Sequence, residues 1–220
     1  MSQEPDRTRA QQLSKESLEQ GDPTGWFERL YQESEQGKTV IPWADRGPNP
    51  NLTSWWDAKP GVALMGQSAL VVGCGLGDDA EQLAAWGANV TAFDVAPTAI
   101  ATARKRFPET KVNYQVADLL NPPSGWTRRF DFVFESYTLQ ALPSDVRPRA
   151  IRSVAQFVCS GGALLIVARA RELTDPAGEA PWPLTAQELN EFERLGLLPI
   201  SWEDYLDGET RRFRVLYRSL

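Results

Sequence analysis

Acidic residues around a glycine-rich turn are the side chains of this sequence best suited to bind a small molecule. Asp78 and Asp79 follow Val71–Gly77, an apolar run that ends in the letters GCGLG. Such a turn at the start of a helix points backbone N–H groups and the positive end of the helix dipole toward a ligand. A second apolar run, Asn89–Asp94, ends on an acid 21 residues after Gly73 (94 minus 73). A carboxylate at that distance is expected to accept hydrogen bonds from ribose hydroxyls.

The two aspartates that follow the turn indicate which ligand it accepts. A dinucleotide-binding turn has glycine or alanine at the third position of G-x-G-x-x-G, where this sequence has Asp78. Carboxylates on the first helical turn satisfy the helix dipole themselves and repel a phosphate group. We therefore expect a nucleoside that carries positive charge and no phosphate. S-adenosylmethionine meets that description, and NAD does not.

The ordered set of motifs resembles the class I S-adenosylmethionine-dependent methyltransferases, from about Gln67 to the C-terminus. The glycine turn, Asp94 and the Ala117–Leu119 segment carry this resemblance. It implies that the turn contacts the methionine part of the cofactor, that Asp94 holds the ribose, and that Val95 and Asp118 contact the adenine. The cofactor-binding residues implied in this part of the chain are Gly73, Cys74, Gly75, Asp94, Val95, Ala117, Asp118, Leu119 and Glu135.

Alternating strands and helices position these residues. The apolar patterns predict strands at Ala69–Val72, Val90–Asp94, Lys111–Val116, Phe130–Phe134, Ala163–Ala168, Leu198–Tyr205 and Arg211–Tyr217. Helices are predicted at Asp78–Trp86, Pro97–Phe107, Ser144–Val158 and Thr185–Leu195, the last with a Thr185/Glu188 capping box. The fold class predicted is α/β: a doubly wound, Rossmann-like, seven-stranded, mostly parallel sheet with an antiparallel last strand and an N-terminal helical cap. Residues 1–22 are interpreted as a polar, flexible leader, 23–62 as the cap and 63–220 as the core.

The predicted cap is rich in aromatic residues. The pattern Trp26…Tyr31…Gly37…Pro42-Trp43-Ala44-Asp45-Arg46-Gly47-Pro48 resembles the cap of the thiopurine and thiol/halide methyltransferases. In that group the cap aromatics enclose the methionine part of the cofactor and the small substrate. The resemblance implies cofactor contacts by Trp26, Tyr31 and Trp43, and acceptor contacts by Trp43, Asp45, Tyr137 and Trp182. The chain departs from the pattern at Ala44, which separates Trp43 from Asp45, and at Asn49, near where related sequences often have histidine.

Composition excludes several function classes. The 220-residue chain has a net charge of −6, which argues against a nucleic-acid partner. It contains no histidine, which excludes a histidine-based triad or an imidazole base, and no metal site is predicted. We find no apolar run of about 20 residues that could cross a membrane and no signal peptide, so we expect a cytoplasmic protein.

We interpret the sequence as a methyltransferase that positions a small-molecule nucleophile in line with the sulfonium methyl group. Tyr137 and Asp45 are the candidates for positioning the acceptor, and no catalytic base is assigned. A thiol or thiopurine-like acceptor is favoured, with an oxygen or nitrogen acceptor as the alternative. Two other classes are disfavoured: a nicotinamide-dependent oxidoreductase, because of Asp78 and Asp79, and a non-catalytic regulator that binds an adenosyl compound, because the cofactor motifs and the cap are both present.

Overall fold

A computed structural model describes residues 7–58, 64–176 and 178–220, and a seven-stranded sheet forms its centre. The strands are β1 (Ser68–Val72), β2 (Asn89–Asp94), β3 (Asn113–Val116), β4 (Phe130–Ser136), β5 (Val158–Arg169), β6 (Leu197–Asp207) and β7 (Thr210–Ser219). Their order across the sheet is β3-β2-β1-β4-β5-β7-β6. The neighbours from β3 to β5 pair in parallel, whereas β7 pairs antiparallel with both β5 and β6. The predicted fold class is confirmed.

Helices cover both faces of the sheet. Leu70 and Val72 of β1 belong to one buried cluster, and Ala69 and Val71 belong to the other. Because both faces of β1 are buried, its sequence is a continuous apolar run. None of the helices within the described ranges has the length and apolar character needed to cross a bilayer. The helices are α1 (Thr8–Glu19), α2 (Gly25–Glu35), α3 (Pro50–Ala58), α4 (Asp78–Ala85), α5 (Pro97–Arg106), α6 (Arg147–Phe157) and α7 (Ala186–Arg194).

The predicted elements are all present, with shifted ends. The Thr185/Glu188 capping box at the start of α7 is confirmed. Strand β5 begins at Val158, where a helix end was predicted, because α6 stops at Phe157 and the chain extends at once. The closing hairpin turns at Gly208, whose positive φ of 61° suits a tight turn between paired residues Asp207 and Thr210.

The interpretation of residues 1–22 as a flexible leader is wrong for the part that the structure describes. Residues Thr8–Glu19 form α1, and Leu13 of this helix is completely buried against Trp26 and Leu30 of α2. The buried positions Ala10, Leu13, Ser14 and Ser17 follow helical spacing. Only two of these four buried side chains are apolar, so the helical pattern cannot be recognised in a polar sequence. The predicted boundary at residues 62 and 63 lies outside the described residues, so the division into cap and core stays a prediction.

The carboxylate of Glu28 links helix α2 to helix α5. Glu28 of α2 accepts hydrogen bonds from the backbone N–H and the hydroxyl of Thr98, at 3.0 and 2.7 Å. Thr98 lies in the first turn of α5, a helix whose own N-cap residue, Ala96, provides no side-chain hydrogen bond. Glu28 therefore caps α5 from another element and favourably meets the positive end of its dipole.

Candidate functional site

The glycine turn lies at the carboxyl end of β1 and touches the loop that follows β4. Gly73 adopts a φ of 59°, and a Cβ at this position would overlap the hydroxyl of Thr138. That hydroxyl donates a hydrogen bond to the carbonyl oxygen of Val72 at 3.2 Å. Glycine is therefore required at position 73, and its close approach places residues 136–138 directly beside the turn.

Asp94 joins the end of β2 to the same turn. Its carboxylate is 7% exposed and accepts hydrogen bonds from the backbone N–H groups of Gly75 and Ala96, both at 2.9 Å. Burial raises the pKa of the Asp94 carboxyl to about 6, against the effect of these hydrogen bonds. A carboxylate has about four lone-pair sites, so two remain after these bonds are made. The structure thus brings together the two motifs that were predicted to form a ribose site.

Asp78 does not present a free charge at the helix start, contrary to our expectation. Its two oxygens accept hydrogen bonds from the guanidinium of Arg106 at 2.6 and 2.7 Å. The same guanidinium donates to the carbonyl oxygen of Leu76 at 2.7 Å. Arg106 comes from the last turn of α5, so Asp78 is neutralised by an ion pair that braces the glycine turn.

Asp79 is the remaining carboxylate of the pair, and it connects the turn to the N-terminal segment. It accepts a hydrogen bond from the backbone N–H of Asn49 at 2.7 Å. Burial raises the pKa of the Asp79 carboxyl to about 6, against the effect of this bond, and the neighbouring charge of Asp78 adds to the rise. Asp79 is therefore the aspartate of the pair whose negative charge would repel a phosphate group at the turn.

One of the three cap aromatics, Tyr31, lies against the glycine turn, and Trp43 contacts Tyr31 from the cap loop. A Cβ on Gly75 would be 3.0 Å from the hydroxyl oxygen of Tyr31. That hydroxyl accepts a hydrogen bond from the indole N–H of Trp43 at 3.1 Å, and Trp43 is 39% exposed. Trp26 is 3% exposed and packs between α1 and α2, stacked on Phe27 with ring centroids 3.9 Å apart. Tyr31 is also only 3% exposed and packs against Ala96 and Ala99, so in this structure it shares a core position with Trp26, and Trp43 is the one of the three that is exposed enough to contact a ligand.

The other predicted cofactor residues lie around the ends of β1 to β4. Cys74 and Ala117 donate backbone hydrogen bonds to the carbonyl oxygens of Phe93 and Asp94, at 2.8 and 3.0 Å. Asp118 accepts from the backbone N–H of Leu120 at 2.8 Å, which shapes the loop after β3. Val95 is half-buried and Leu119 is buried. These positions surround Asp94, and their roles in binding stay predictions.

Glu135 is buried at the end of β4, with no exposed surface. Its Oε1 accepts hydrogen bonds from the backbone N–H groups of Thr138 and Leu139, at 2.8 and 2.9 Å. Its Oε2 has no hydrogen-bond partner among the described residues. Burial raises the pKa of this carboxyl to about 7, although the hydrogen bonds and the charge of Arg147 oppose the rise. Glu135 therefore shapes the loop that lies beside Gly73.

The predicted acceptor residues come from three different loops, and the backbone N–H of Trp182 donates to the carbonyl oxygen of Gln140 at 2.7 Å, close to the loop that carries Tyr137. Tyr137 follows β4 with a positive φ of 63°, a conformation that non-glycine residues rarely adopt outside functional sites and turns. Its hydroxyl accepts a hydrogen bond from Asn51 at 3.2 Å. Asp45 is exposed on the cap loop. Trp182 anchors its own loop, since its indole N–H donates to the carbonyl oxygen of Gly178 at 3.2 Å.

Residues that the sequence did not single out surround Tyr137. Asn51 of α3 accepts a hydrogen bond from the hydroxyl of Tyr205 in β6, and the guanidinium of Arg212 lies 5.3 Å from the centre of the Tyr137 ring. Ser136 accepts from the side-chain amide of Asn49 at 2.7 Å. These contacts join residues as much as 154 positions apart in the chain, so no local pattern could have indicated them.

Comparison with known proteins identifies the family to which the central part of the chain is similar. Residues 69–162 match the family described as "Methyltransferase domain". The chain is 26% identical over 171 residues to 2-heptyl-1-hydroxyquinolin-4(1H)-one methyltransferase of Mycobacteroides abscessus, covering 76% of this chain and 73% of that protein. It is 33% identical over 116 residues to the ubiquinone biosynthesis O-methyltransferase of Aromatoleum aromaticum, covering 52% of this chain and 48% of that protein. The chain thus spans about half the length of the latter relative.

A solved structure shares the fold. The N-methyltransferase NodS from Bradyrhizobium japonicum, in complex with S-adenosyl-L-homocysteine, superposes with a TM-score of 0.65. The sequences are 20% identical, and the match covers 86% of this chain and 98% of that chain. At this identity the likeness concerns the fold alone.

Proposed function

We propose that the chain carries a class I S-adenosylmethionine-dependent methyltransferase domain and that it methylates an oxygen or nitrogen atom of a small molecule. The observation that carries this proposal is the cluster of hydroxyl and amide groups directly beside the glycine turn. Ser136 ends β4 there and Tyr137 follows it, and Asn49 and Asn51 hydrogen-bond to them. Such groups recognise an acceptor that forms hydrogen bonds through oxygen or nitrogen.

The residues around the turn fit the adenosyl cofactor. The space beside Gly73 is filled by Thr138, whereas Gly75 leaves room for close approach of the cofactor once Tyr31 moves, and the start of α4 directs a positive dipole at the turn. Asp94 retains lone pairs for ribose hydroxyls, and Asp79 offers a negative charge to the cofactor's ammonium group. When bound, the cofactor supplies a methyl group on a positively charged sulfur, which is a good leaving group. Tyr31 lies against Gly75, so we expect it to move when the cofactor binds.

The protein itself contributes to the reaction by positioning the two reactants and by excluding water from them. Holding two reactants in line replaces a bimolecular encounter, which can supply roughly 7–11 kcal/mol. Tyr31 and Trp43 would close over the sulfonium, where aromatic faces stabilise a cation by about 0.5–2 kcal/mol each. We assign no proton-accepting base, because Asp94 is assigned to the ribose and Glu135 has no exposed surface through which an acceptor could reach it.

The thiol or thiopurine acceptor expected from the cap pattern receives less support. Of the cap residues behind that expectation, Trp26 packs in the core and Asp45 is exposed on the cap loop. The named relatives also point elsewhere, since one of them is an O-methyltransferase. We therefore propose oxygen first and nitrogen second as the accepting atom.

A transfer assay tests this proposal. The protein is incubated with S-adenosylmethionine labelled in its methyl group and with separate panels of phenols, N-hydroxy compounds, amines and thiols. We expect label in an oxygen or nitrogen compound and none when Asp94→Asn is used at limiting cofactor. Exclusive labelling of thiols would contradict the proposed acceptor, and no labelling in any panel despite cofactor binding would favour a non-catalytic regulator.

A further inference from the structure

A chain of polar side chains connects α3 to the loop after β4. Asn51 is 7% exposed and donates through its side-chain amide to the Oδ1 of Asn49 at 3.1 Å and to the hydroxyl oxygen of Tyr137 at 3.2 Å. Its own Oδ1 accepts from the hydroxyl of Tyr205. Asn49 in turn donates through its amide to the hydroxyl oxygen of Ser136 at 2.7 Å. Both asparagine side chains therefore turn their amide nitrogen, which donates, toward the hydroxyl oxygens of Ser136 and Tyr137.

A backbone group fixes that direction. The backbone N–H of Asn51 donates to the Oδ1 of Asn49 at 2.9 Å. A backbone N–H can only donate, so the oxygen of the Asn49 amide must face α3, and its nitrogen must face Ser136. The backbone N–H of Asn49 donates to Asp79 at 2.7 Å, which holds this residue beside the glycine turn. The whole chain of donors thus runs from α3 toward the hydroxyls of Ser136 and Tyr137.

This direction leaves both hydroxyls with a proton to donate. Ser136 and Tyr137 each use oxygen lone pairs to accept an amide hydrogen. The Asn49 side chain is also within reach of the Tyr137 hydroxyl, but its Oδ1 already accepts two hydrogen bonds from Asn51, so among the described residues the proton of either hydroxyl is left available. Both residues are half-exposed and come directly before Thr138, whose side chain touches Gly73. The guanidinium of Arg212 over the Tyr137 ring further favours a hydroxyl that donates.

A backbone hydrogen bond and two arginines hold Tyr137 and the helix α3 that contacts it. Its backbone N–H donates to the carbonyl oxygen of Val167 at 3.1 Å, which maintains its unusual φ. Arg212 also pairs with Asp207 at 2.7 Å, so the cation is fixed at the mouth of the β6–β7 hairpin. Arg214, on the same face of β7, donates to the carbonyl oxygen of Asn51 at 2.8 Å and so anchors the start of α3. The donors are thus held by three separate elements.

We propose that Ser136 and Tyr137 are a pair of hydrogen-bond donors that orient the methyl acceptor, and that Asn51 is the positioning residue that sets their direction. The acceptor class that fits such a pair carries a lone-pair-bearing oxygen or ring nitrogen next to the atom that receives the methyl group. A compound with a single hydroxyl would satisfy only one of the two donors. This inference rests on the proposed function, because it describes the acceptor side of the same site.

Calorimetry on the protein saturated with S-adenosylhomocysteine tests the donor pair without turnover. Catechol, with two adjacent oxygens, is compared with phenol, which has one. We expect catechol to bind up to about tenfold more tightly, because one additional hydrogen bond contributes at most roughly that factor to the affinity. Tyr137→Phe and Ser136→Ala should each bring the two affinities within about twofold of each other.

The substitution Asn51→Asp tests whether the direction of the hydrogen bond to Tyr137 matters, because it removes the amide donor and nearly preserves the shape of the side chain. Aspartate has nearly the same shape but cannot donate, so Tyr137 would have to donate to it and lose the proton meant for the acceptor. We expect Asn51→Asp to abolish the catechol preference while leaving the affinity for S-adenosylhomocysteine within about twofold. Thr53→Ala, on the same helix but outside the donor chain, is the matched control and should keep the preference.

Three results would overturn the inference: equal affinities in the unaltered protein, no measurable binding of either compound, or a catechol preference that survives in Tyr137→Phe and Asn51→Asp. These results leave the proposed function intact as long as S-adenosylhomocysteine binds and label is transferred. Failure to bind S-adenosylhomocysteine would instead contradict the proposed function itself.

Discussion

Glu135 gives the structure a pH dependence that one substitution can isolate. Its carboxyl has no exposed surface, and only Oε1 has hydrogen-bond partners among the described residues. Burial raises the pKa of this group to about 7 from an ordinary value of 4.5. The folded protein therefore holds a proton on Glu135 over a pH range in which the unfolded chain has released it.

The sign and size of the effect follow from proton linkage. Between pH 4.5 and 7 the folded state binds more protons than the unfolded state, so the free energy of unfolding falls as the pH rises through this range. A difference of about 2.5 in pKa, at 1.36 kcal/mol for each pKa unit, corresponds to roughly 3 kcal/mol. Asp79 and Asp94, whose pKa values burial raises to about 6, add contributions of the same sign. The unaltered protein alone cannot separate the three carboxyls.

The substitution Glu135→Gln removes only this contribution. Glutamine keeps the oxygen that accepts from Thr138 and Leu139, and its buried amide adds a pH-independent cost of about 1–3 kcal/mol. Urea denaturation at several pH values from 4.5 to 8 should show the variant gaining about 3 kcal/mol relative to the unaltered protein as the pH rises. Glu209→Gln, an exposed position in the β6–β7 turn, is the control and should give parallel curves. Parallel curves for Glu135→Gln as well would refute the account of a proton held by burial.

Further predictions concern the charges and the cap. The double substitution Asp78→Asn/Arg106→Gln, which removes both members of the ion pair and leaves the local net charge unchanged, should keep the calorimetric affinity for S-adenosylhomocysteine within about twofold. Asp79→Asn should weaken it about five- to tenfold, and equal effects of the double and the single substitution would contradict the roles assigned to these residues. Trp43→Ala should lower the rate of labelled methyl transfer about tenfold with little change in melting temperature, since Trp43 is partly exposed; loss of folding would show that it is a core residue. Glu28→Gln should reduce the free energy of unfolding in urea by about 1 kcal/mol because it caps α5, and an unchanged value would show that this cap is dispensable.

The sequence indicated the fold because its signals are local. The apolar runs of β1 and β2, the glycine turn between β1 and α4, and the Thr185/Glu188 capping box each occupy a few consecutive residues. Their periodicity and spacing therefore predict strands, a turn and a helix start without knowledge of the tertiary structure. Asp94 could be matched to the turn because the two ends of adjacent parallel strands meet at one edge of a sheet.

The parts of the site that could not be predicted depend on contacts between distant residues. The Asp78–Arg106 pair joins positions 28 residues apart, and the Tyr205–Asn51 hydrogen bond joins positions 154 apart. No sequence spacing indicates such a partner, so the free charge assigned to Asp78 was wrong. Helix α1 was missed for another reason, since its buried stripe contains serine at two of four positions. Its stability comes from packing on α2, which a polar sequence does not reveal.

The central claim is that the glycine turn and Asp94 bind an adenosyl cofactor without phosphate, and thermal unfolding tests it most directly. At about 100 times its dissociation constant a ligand stabilises the folded state by roughly 2.7 kcal/mol. For a chain of this size that shift is about 5–10 °C in melting temperature. We expect S-adenosylhomocysteine to produce this rise in the unaltered protein, NAD to produce none, and Asp94→Ala to abolish the response. A rise with NAD and none with S-adenosylhomocysteine would contradict the account.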